Sequence, residues 1–386
     1  MAGTTSNYAY TYDPMGRLLT VTKDGSLVEQ YQYGANGARV SEMNALRGIS
    51  SRTMAYTEED HMYQTGDTTY QYDVDGFLMS KTKGTEKTEY AYSSRGELLQ
   101  AKLPDGRVID YYHDPLGRRI AKAVNGVITE KYLWQNLIRL LAVYDGNDNL
   151  LMRFDYADGR MPVAMTSAGN TYYLTYDQVG SLRVISDVSG NVVKQIEYDA
   201  FGNIINATNP SFTIPFGFAG DFYDQDTGLV RFGLRDYDPD IARWTSKDPI
   251  GFKAGYTDLY SYCLNNPINF IDPLGLNSWR YDLSDEILYY LDDDGNALDS
   301  WIAVSGPWGA GALPAGSYTL PGGPCALPES QRPYCDPSGN CWWQAIEPDF
   351  ETDRDGFGIH PDGNVEGTEG CVGAIAADRG NMGVRP

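Results

Sequence analysis

The stretch YTYDPMGRLL, residues 10–19, decides the fold, because variants of it recur along the chain. The copies are YQYGANGARV (31–40), YQYDVDGFLM (70–79), YAYSSRGELL (90–99), YYHDPLGRRI (111–120), FDYADGRM (154–161), TYDQVGSLR (175–183) and EYDAFGNII (197–205). Their turn glycines are Gly16, Gly37, Gly76, Gly96, Gly117, Gly159, Gly180 and Gly202. Successive glycines lie 21, 39, 20, 21, 42, 21 and 22 residues apart, close to one or two multiples of 21. A fixed period of this length indicates a repeated structural unit.

Each unit predicts a strand, a four-residue turn and a second strand. Tyrosine suits the half-buried face of a strand, aspartate caps the turn, and glycine adopts the backbone angles that other residues avoid. Hairpins of this kind bury a continuous sheet only when neighbours stack beside them. We therefore expect a mainly β protein, in which a body of stacked hairpins precedes a small β-rich domain.

The composition limits the possible partners. The chain has 30 Tyr, 42 Gly and a net charge of −22, and such acidity argues against a nucleic acid partner. No apolar run is long enough to span a membrane. The start, MAGTTSNYAY, lacks the features of a signal peptide, so we expect either export without one or a chain that is the tail of something longer.

A boundary follows Leu276, where the period of 21 stops. The remaining residues contain five Arg, no Lys and 18 Asp and Glu, and four of the five cysteines. We expect three domains: a repeat body at 1–217, a junction at 218–276 and a C-terminal domain at 277–386.

The junction carries a combination of motifs. A single Asp-Pro-x-Gly is a plain turn, and the motif occurs five times in the chain. Arg235, Asp248-Pro-Ile-Gly, Asn265-Asn266-Pro267 and Asp272-Pro-Leu-Gly-Leu276 together resemble the Rhs-associated core. The repeats over roughly residues 6–276 resemble the YD repeats of Rhs proteins, teneurins and the C components of Tc toxins. This resemblance implies part of a hollow β-shell, since the chain holds only about ten repeats.

The same resemblance implies that the junction cleaves its own chain. Asp248 and Asp272 match the aspartates of the self-cleaving site, Arg235 matches its arginine, and scission is expected between Leu276 and Asn277. The chemistry is reasonable, because two neighbouring carboxyl groups do not both ionise easily, and one can act as an acid while the other activates water. The alternative is that both aspartates only form turns.

The C-terminal domain begins with a predicted hairpin, SDEILYYLDDDGNALDSWIAVSG (284–306). Its acidic turn lacks the later glutamate of a calcium loop, so a solvated turn is favoured. The cysteine spacing lacks a CxxC pair, which argues against zinc. A disulfide among Cys325, Cys335 and Cys341 is favoured instead, with the pairing open.

Candidate chemistry lies in GFGIHPDGNVEGTEGCVGA, residues 356–374. His360 could serve as a base and Cys371 as a nucleophile, with Gly370 leaving the backbone open to hold an oxyanion. The alternatives are an ordinary surface or core histidine, and a cysteine that is buried or disulfide-bonded.

His360-Pro-Asp-Gly363 and Thr368-Glu-Gly-Cys371 resemble the signature of the L,D-transpeptidases of peptidoglycan metabolism. This resemblance implies a cysteine enzyme acting on stem peptides, in which Thr368 supports the loop and Gly370 helps hold the oxyanion, with no cofactor and no metal. Glu369 replaces the usual histidine, and Cys371-Val-Gly-Ala lacks the arginine that usually comes soon after the cysteine, which leaves the balance between transfer and hydrolysis open.

The C-terminal domain is similar to the L,D-transpeptidase-like effectors of type VI secretion. The resemblance implies an antibacterial toxin that acts in the periplasm of target bacteria, has a cognate immunity protein and reaches the secretion machinery through a missing N-terminal region. The alternatives are a non-catalytic YD-repeat protein that binds a surface or carbohydrate and carries a disulfide-stabilised cap, and a nuclease, which the acidity disfavours.

Overall fold

The structure of the protein is a computed structural model. It describes residues 6–157, 159–249, 251 and 258–276, together with the backbone of short strands between residues 278 and 374.

Twenty strands form the repeat ribbon. They are β1 Tyr8–Tyr12, β2 Leu18–Lys23, β3 Ser26–Tyr33, β4 Arg39–Asn44, β5 Ile49–Tyr56, β6 Met62–Thr65, β7 Thr68–Tyr72, β8 Leu78–Lys83, β9 Glu86–Tyr92, β10 Leu98–Lys102, β11 Val108–His113, β12 Arg119–Val124, β13 Val127–Trp134, β14 Leu140–Tyr144, β15 Leu150–Tyr156, β16 Pro162–Ser167, β17 Asn170–Tyr176, β18 Leu182–Asp187, β19 Val192–Tyr198 and β20 Ile204–Ala207. Each strand pairs antiparallel with the next along the chain, which makes one continuous meander. A single 3-10 turn, Ala45–Arg47, connects β4 and β5.

The repeated motif folds as the sequence predicts. In the first unit, Asp13 Oδ1 accepts hydrogen bonds from the backbone N–H groups of Met15 and Arg17, both at 2.9 Å. Gly16 adopts a φ of 76°, and Leu18 is fully buried just beyond it. The aspartate therefore closes the turn, glycine allows it, and leucine anchors the next strand in the core.

A row of tyrosine hydroxyls ties neighbouring units together. The hydroxyl of Tyr33 donates to the carbonyl of Leu18 at 2.7 Å, and that of Tyr176 donates to the carbonyl of Pro162 at 2.7 Å. In each case the last tyrosine before one turn bonds to the chain just after the previous turn. In these units the second tyrosine of the motif thus links one repeat to the next.

The ribbon curves until its first strands meet its last. Asn44, at the end of β4, donates a hydrogen bond to Asp199, after β19, at 2.9 Å. Glu29 in β3 accepts a hydrogen bond from the backbone N–H of Ala200 at 3.2 Å. These contacts join residues more than 150 positions apart in the chain.

Residues 218–276, which we call the core segment, pack against one rim of the ribbon. The segment contains 3-10 turns at Phe218–Gly220 and Cys263–Asn265 and four strands, β21 Phe222–Tyr223, β22 Val230–Phe232, β23 Arg235–Asp238 and β24 Arg243–Trp244. At the rim with the motif turns, a Cβ on Gly117 would lie 2.8 Å from the Leu234 side chain. At the opposite rim, Gly84 and Gly126 have no neighbour within 4 Å. The motif glycines therefore serve both the turn and the close approach of the core segment.

Beyond residue 276 the strands are β25 Ser278–Asp282, β26 Ile287–Leu291, β27 Ala297–Ser305, β28 Tyr318–Thr319, β29 Cys325–Ala326, β30 Trp342–Ala345, β31 Glu347–Pro348, β32 Gly358–Pro361 and β33 Val372–Ala374. The predicted hairpin forms, because β26 and β27 pair antiparallel. The sheet runs β25-β26-β27-β33-β32-β30-β29. The prediction of a mainly β chain is thus confirmed. In the described part of the chain, no helix has the length and apolar character needed to cross a membrane.

Candidate functional site

The junction motifs converge on one cluster inside the core segment. Arg235 begins β23, which pairs with β22 through a tight turn at Gly233 and Leu234. Asp248 and Asp272 each begin a turn, closed by hydrogen bonds from the backbone N–H groups of Gly251 and Gly275 to their carbonyls. Both aspartates therefore form turns, as the simpler interpretation holds. Their side chains have a further partner.

Arg235 brings the two carboxyl groups together. Its Nη2 lies 2.8 Å from Asp248 Oδ2 and 3.2 Å from Asp272 Oδ2. The three side chains are 2–3% exposed. The guanidinium packs over the ring of Trp244, 4.2 Å from its centroid, and its Nη1 donates to the carbonyl of Leu259 at 3.3 Å. The arginine is thus held on several sides, and it fixes the spacing of the carboxyl groups.

Asp272 also contacts the predicted scission point directly. Its Oδ1 accepts a hydrogen bond from the backbone N–H of Leu276 at 2.9 Å. Burial raises the pKa of Asp272 to about 6, with the charge of Arg235 opposing the rise and that of Asp248 adding to it. Near neutral pH this group can therefore exist both with and without its proton, as an acid catalyst must.

The chain before Leu276 is tightly confined. Gly275 has a φ of 69°, and a Cβ there would lie 3.1 Å from the Arg235 Cβ. The N–H of Leu234 donates to the carbonyl of Leu274 at 3.1 Å. The turn is thus held against the β22–β23 hairpin, and Leu276 is buried beside it. Asn277, on the other side of the predicted bond, lies outside the described residues.

In the C-terminal domain, backbone pairing relates the two candidate residues. His360 lies in β32, which runs parallel to β33 with His360 opposite Gly373. β33 begins at Val372, one residue after Cys371. Thr368, Gly370 and Cys371 lie outside the described residues, as do Cys335 and Cys341 of the predicted disulfide. The topology therefore sets the strand of the candidate base beside the strand that follows the candidate nucleophile.

The sequence interpretation missed several ion pairs near the junction, and one of them joins the ribbon to the buried Asp221. Arg160, in the ribbon, donates from Nη1 to Asp221 Oδ2 at 3.1 Å. Burial raises the pKa of Asp221 to about 8, against the opposing charge of Arg160 and with a contribution from Asp272. The two residues are 61 positions apart, and no motif connects them. The only sequence signal was that Arg160 belongs to one of the repeat motifs and Asp221 belongs to the junction.

Metal ligands do not cluster in the described part of the chain. No group of three or more His, Cys, Asp or Glu side chains there could hold a metal ion.

The sequence matches one family over most of its length. The model of the Teneurin YD-shell family matches residues 1–268. Teneurin-3 of Danio rerio is 32% identical over 282 residues, which are 69% of this chain and 10% of that protein. Teneurin-4 of Homo sapiens is 31% identical over 71% of this chain and 10% of its own length. The double-stranded DNA deaminase toxin A of Burkholderia cenocepacia is 29% identical over 69% of this chain and 20% of that protein. The chain thus spans a tenth to a fifth of these relatives.

Among solved structures, the Tc holotoxin pore of Photorhabdus luminescens matches with a TM-score of 0.41 and 17% identity. The complex TcdB2-TccC3-TEV matches with a TM-score of 0.39 and 19% identity. Each match covers 70% of this chain and 18% of the other.

Proposed function

Because the chain belongs to the Teneurin YD-shell family, we propose that it is a self-cleaving YD-repeat toxin, whose core segment releases residues 277–386 as a cell-wall enzyme. The observation that supports self-cleavage is the buried cluster in which Arg235 contacts both Asp248 and Asp272. Asp272 in turn binds the backbone of Leu276. A carboxyl group whose role was only to close a turn would not need to share an arginine with a second carboxyl group.

The proposed reaction is hydrolysis of the bond between Leu276 and Asn277. A water molecule gives a proton to the carboxylate of Asp248, the carboxyl group nearer to Arg235, and its oxygen adds to the Leu276 carbonyl carbon. Protonated Asp272 gives its proton to the amide nitrogen, and the C–N bond breaks. The products are a carboxyl group on Leu276 and an amino group on Asn277. Burial supports this division, since it favours the protonated form of Asp272.

Self-cleavage is tested with the purified full chain under denaturing electrophoresis. The wild type is expected to separate into a body and a fragment of 110 residues, whose mass identifies Asn277 as its first residue. Asp272→Asn and Asp248→Asn are expected to slow cleavage at least about 100-fold, as for loss of an acid or base catalyst. Asp240→Asn is the control, because Asp240 is another aspartate of the core segment that pairs with an arginine, Arg52 of the ribbon, at 2.8 Å. An intact wild-type chain, or cleavage by both catalytic variants at the wild-type rate, would contradict the proposal.

The proposal for the released domain is a cysteine L,D-carboxypeptidase or L,D-transpeptidase. The pairing of β32 with β33 supports it, since His360 lies opposite a residue two positions after Cys371. The Cys371 thiolate, deprotonated by His360, adds to the carbonyl before a terminal D-amino acid of the stem peptide, and the N–H groups of Gly370 and Cys371 hold the oxyanion. D-alanine leaves with the proton. Water or another D-amino acid then takes the acyl group and frees the thiol.

A bacterial toxin is also supported by one relative, whose name describes a DNA deaminase toxin. Deamination does not fit the present C-terminal domain. Zinc deaminases carry His-x-Glu followed by Pro-Cys-x-x-Cys, whereas His360 is followed by Pro361 and Asp362 and no Cys-x-x-Cys occurs after Leu276. A cell-wall substrate also suits the strongly acidic composition better than a nucleic acid.

The enzyme proposal is tested by sending residues 277–386 to the bacterial periplasm. The wild-type domain is expected to stop growth and to shorten or exchange the ends of stem peptides, which mass analysis of muropeptides would show. Cys371→Ala should remove both effects. Ser300→Ala, a small change outside residues 356–374 of the same domain, is the control and should retain both. A harmless wild-type domain, or a toxic Cys371→Ala variant, would favour a non-catalytic binding protein with a disulfide-stabilised cap.

The proposed delivery route is type VI secretion, with a cognate immunity protein in the periplasm of the producing cell. Expression of the domain in the cytoplasm is expected to be harmless, because the substrate lies on the other side of the inner membrane. Toxicity confined to the cytoplasm would contradict the cell-wall substrate.

A further inference from the structure

A cavity of about 200 Å³ lies where the two ends of the ribbon meet. One of its walls comes from the first three strands, in which Tyr10 of β1, Val21 of β2 and Glu29 of β3 are successive partners across the sheet. Tyr8 belongs to the same wall, because side chains two positions apart lie on the same face of a strand. A cavity of about 150 Å³ can hold benzene, so this one has room for a small organic molecule.

The opposite wall comes from the last repeats of the ribbon. It includes Asp177 in the turn before β18, Arg183 in β18, and Tyr198 at the end of β19. Phe218 and Ile268 of the core segment add apolar surface to the lining. The cavity thus forms only when both ends of the ribbon and the core segment have come together.

Tyr198 brings an unused polar group to this cavity. Its side chain is 8% exposed, and its hydroxyl is buried without a hydrogen-bond partner in the described part of the chain. Buried hydroxyl groups usually have a partner, because leaving one without any costs free energy. Tyr8 and Gln178 of the same lining are exposed, so a ligand from solvent can reach the cavity.

The lining holds more acidic than basic side chains. Its acidic members are Glu29, Asp177 and Asp199, and its basic member is Arg183. Arg183 Nη1 lies 3.8 Å from Asp177 Oδ2, and Asp199 Oδ2 lies 3.9 Å from Nε of Arg47. Among the residues that the structure describes, no cationic side chain lies within 4 Å of the Glu29 carboxyl group, which is 1% exposed. Glu29 is therefore the carboxyl group of this cavity that lacks a cation.

The ionisation of Glu29 agrees with this arrangement. Burial raises the pKa of Glu29 to about 8, and the charge of Asp199 adds to the rise. Hydrogen bonds from Tyr31 and from the N–H of Ala200, together with the charge of Arg39, oppose the rise only in part. An ammonium group in the cavity would favour the ionised form of Glu29 and would supply the missing positive charge.

Three tyrosine rings of the lining, those of Tyr8, Tyr10 and Tyr198, also suit a cation. The faces of aromatic rings attract positive charge. Two of these rings already do so, since Lys23 Nζ lies 5.4 Å from the centroid of the Tyr8 ring. The guanidinium carbon of Arg183 lies 5.7 Å from the centroid of the Tyr198 ring. The aromatic part of the lining and its carboxyl groups therefore favour the same kind of ligand.

We propose that this cavity binds a small organic amine, whose ammonium group contacts Glu29 and Tyr198 and whose apolar part packs against Tyr10 and Val21. A primary ammonium donates hydrogen bonds, which the Glu29 carboxylate and the Tyr198 hydroxyl can accept. A neutral ligand would leave Glu29 without a cation, and an anion would be repelled by the acidic lining. The proposal is independent of the self-cleavage and of the released enzyme.

The test uses the purified full chain at pH 8 and benzylammonium as the probe, which joins a primary ammonium to a ring of suitable size. Isothermal titration calorimetry is expected to show one molecule bound per chain, with a dissociation constant of about 1 mM or lower. Benzyl alcohol has a similar shape without the charge and should bind at least about 10-fold more weakly. Absence of benzylammonium binding, or equal affinity for the two probes, would overturn the proposal. The lining ends at Ile268, so cleavage after Leu276 leaves the cavity intact.

Two variants locate the probe within the cavity. Tyr198→Phe removes only the hydroxyl without a partner, and Glu29→Gln removes the charge and keeps the shape. Each should weaken the binding of benzylammonium by about 10-fold, as for loss of a hydrogen bond to a charged group. Tyr173→Phe, at an exposed tyrosine outside the lining, is the matched control and should bind as the wild type does. Wild-type affinity in either variant would overturn the proposal, and if one variant does not fold, the other decides alone.

Discussion

At the scale of single residues, the tyrosine hydroxyls give the repeat its cohesion. Tyr176→Phe should remove the bond to the Pro162 carbonyl and keep the ring, so we expect a loss of about 1 kcal/mol in the free energy of unfolding. Tyr173 is in the same strand and is 51% exposed, so Tyr173→Phe should change the stability little. Urea denaturation of the two variants measures the difference. Equal midpoints would show that the hydroxyl row does not stabilise the ribbon.

The motif glycines offer a second residue-scale comparison. Gly202 and Gly190 both have positive φ, 91° and 80°, so alanine at either should cost about 1 kcal/mol through backbone strain. Gly202 also lies against the ring of Phe218, whereas Gly190 has no neighbour within 4 Å. We therefore expect Gly202→Ala to destabilise the protein by at least about 1 kcal/mol more than Gly190→Ala, since overpacking adds to the strain. If thermal unfolding shows a smaller difference in stability between the two variants, the core segment around Phe218 can shift to accommodate the added methyl group at little cost.

At the scale of elements, the regular turns followed from the sequence and the irregular ones did not. The two longer intervals between motif glycines, 39 and 42 residues, each span an additional repeat whose turn has no motif glycine. In the first, Asp60 adopts a φ of 59°, and in the second the N–H of Gln135 bonds to the carbonyl of Arg139. Aspartate tolerates this conformation, so the fold survives although the motif is lost. The doubled interval was the only trace of these units.

The candidate site was predictable only where its residues belong to motifs. Arg235, Asp248 and Asp272 each stand in a recognisable segment, and the structure brings them together. The pair of Arg160 and Asp221 depends instead on how far the ribbon curves before the core segment meets its rim. Such long-range contacts depend on packing geometry, which no local pattern of residues records.

Two hairpins at the rim opposite the motif turns differ in the first residue of their turns, and this residue can be exchanged between them. Asn125-Gly126 and Ala168-Gly169 each form a two-residue turn with positive φ at both positions. Asparagine suits the first position and alanine does not. Ala168→Asn should therefore stabilise the protein by about 0.5–1 kcal/mol, and Asn125→Ala should destabilise it by more, because Asn125 also accepts a bond from the N–H of Val108. Chemical denaturation of both variants measures whether each one gains or loses stability. A loss of stability in Ala168→Asn would contradict this account of the turn.

At the scale of the whole molecule, the buried carboxyl groups set the pH range of stability. Burial raises the pKa of Glu29, Asp221 and Asp272 above their usual range. These groups stabilise the fold when protonated, and that contribution is lost as pH rises from about 4 through their folded pKa values, the highest near 8. Asp224 and Asp236 behave oppositely, because nearby cations lower their pKa against the effect of burial. Their contribution is lost in acid, so we expect maximal stability near pH 4–6.

Glu29 tests this expectation where the two ends of the ribbon meet. Its carboxyl group is buried and lies close to Asp199, which adds to the rise of its pKa to about 8. Glu29→Gln imitates the protonated form, so the variant should match the wild type at pH 5 and exceed it at pH 8.5 by on the order of 1–3 kcal/mol. Glu58→Gln, at an exposed position, should follow the wild type at both values. Denaturant midpoints at the two pH values provide the comparison. If Glu29→Gln loses stability equally at both, then Glu29 is ionised in the folded state and the ribbon closes through a charged contact instead.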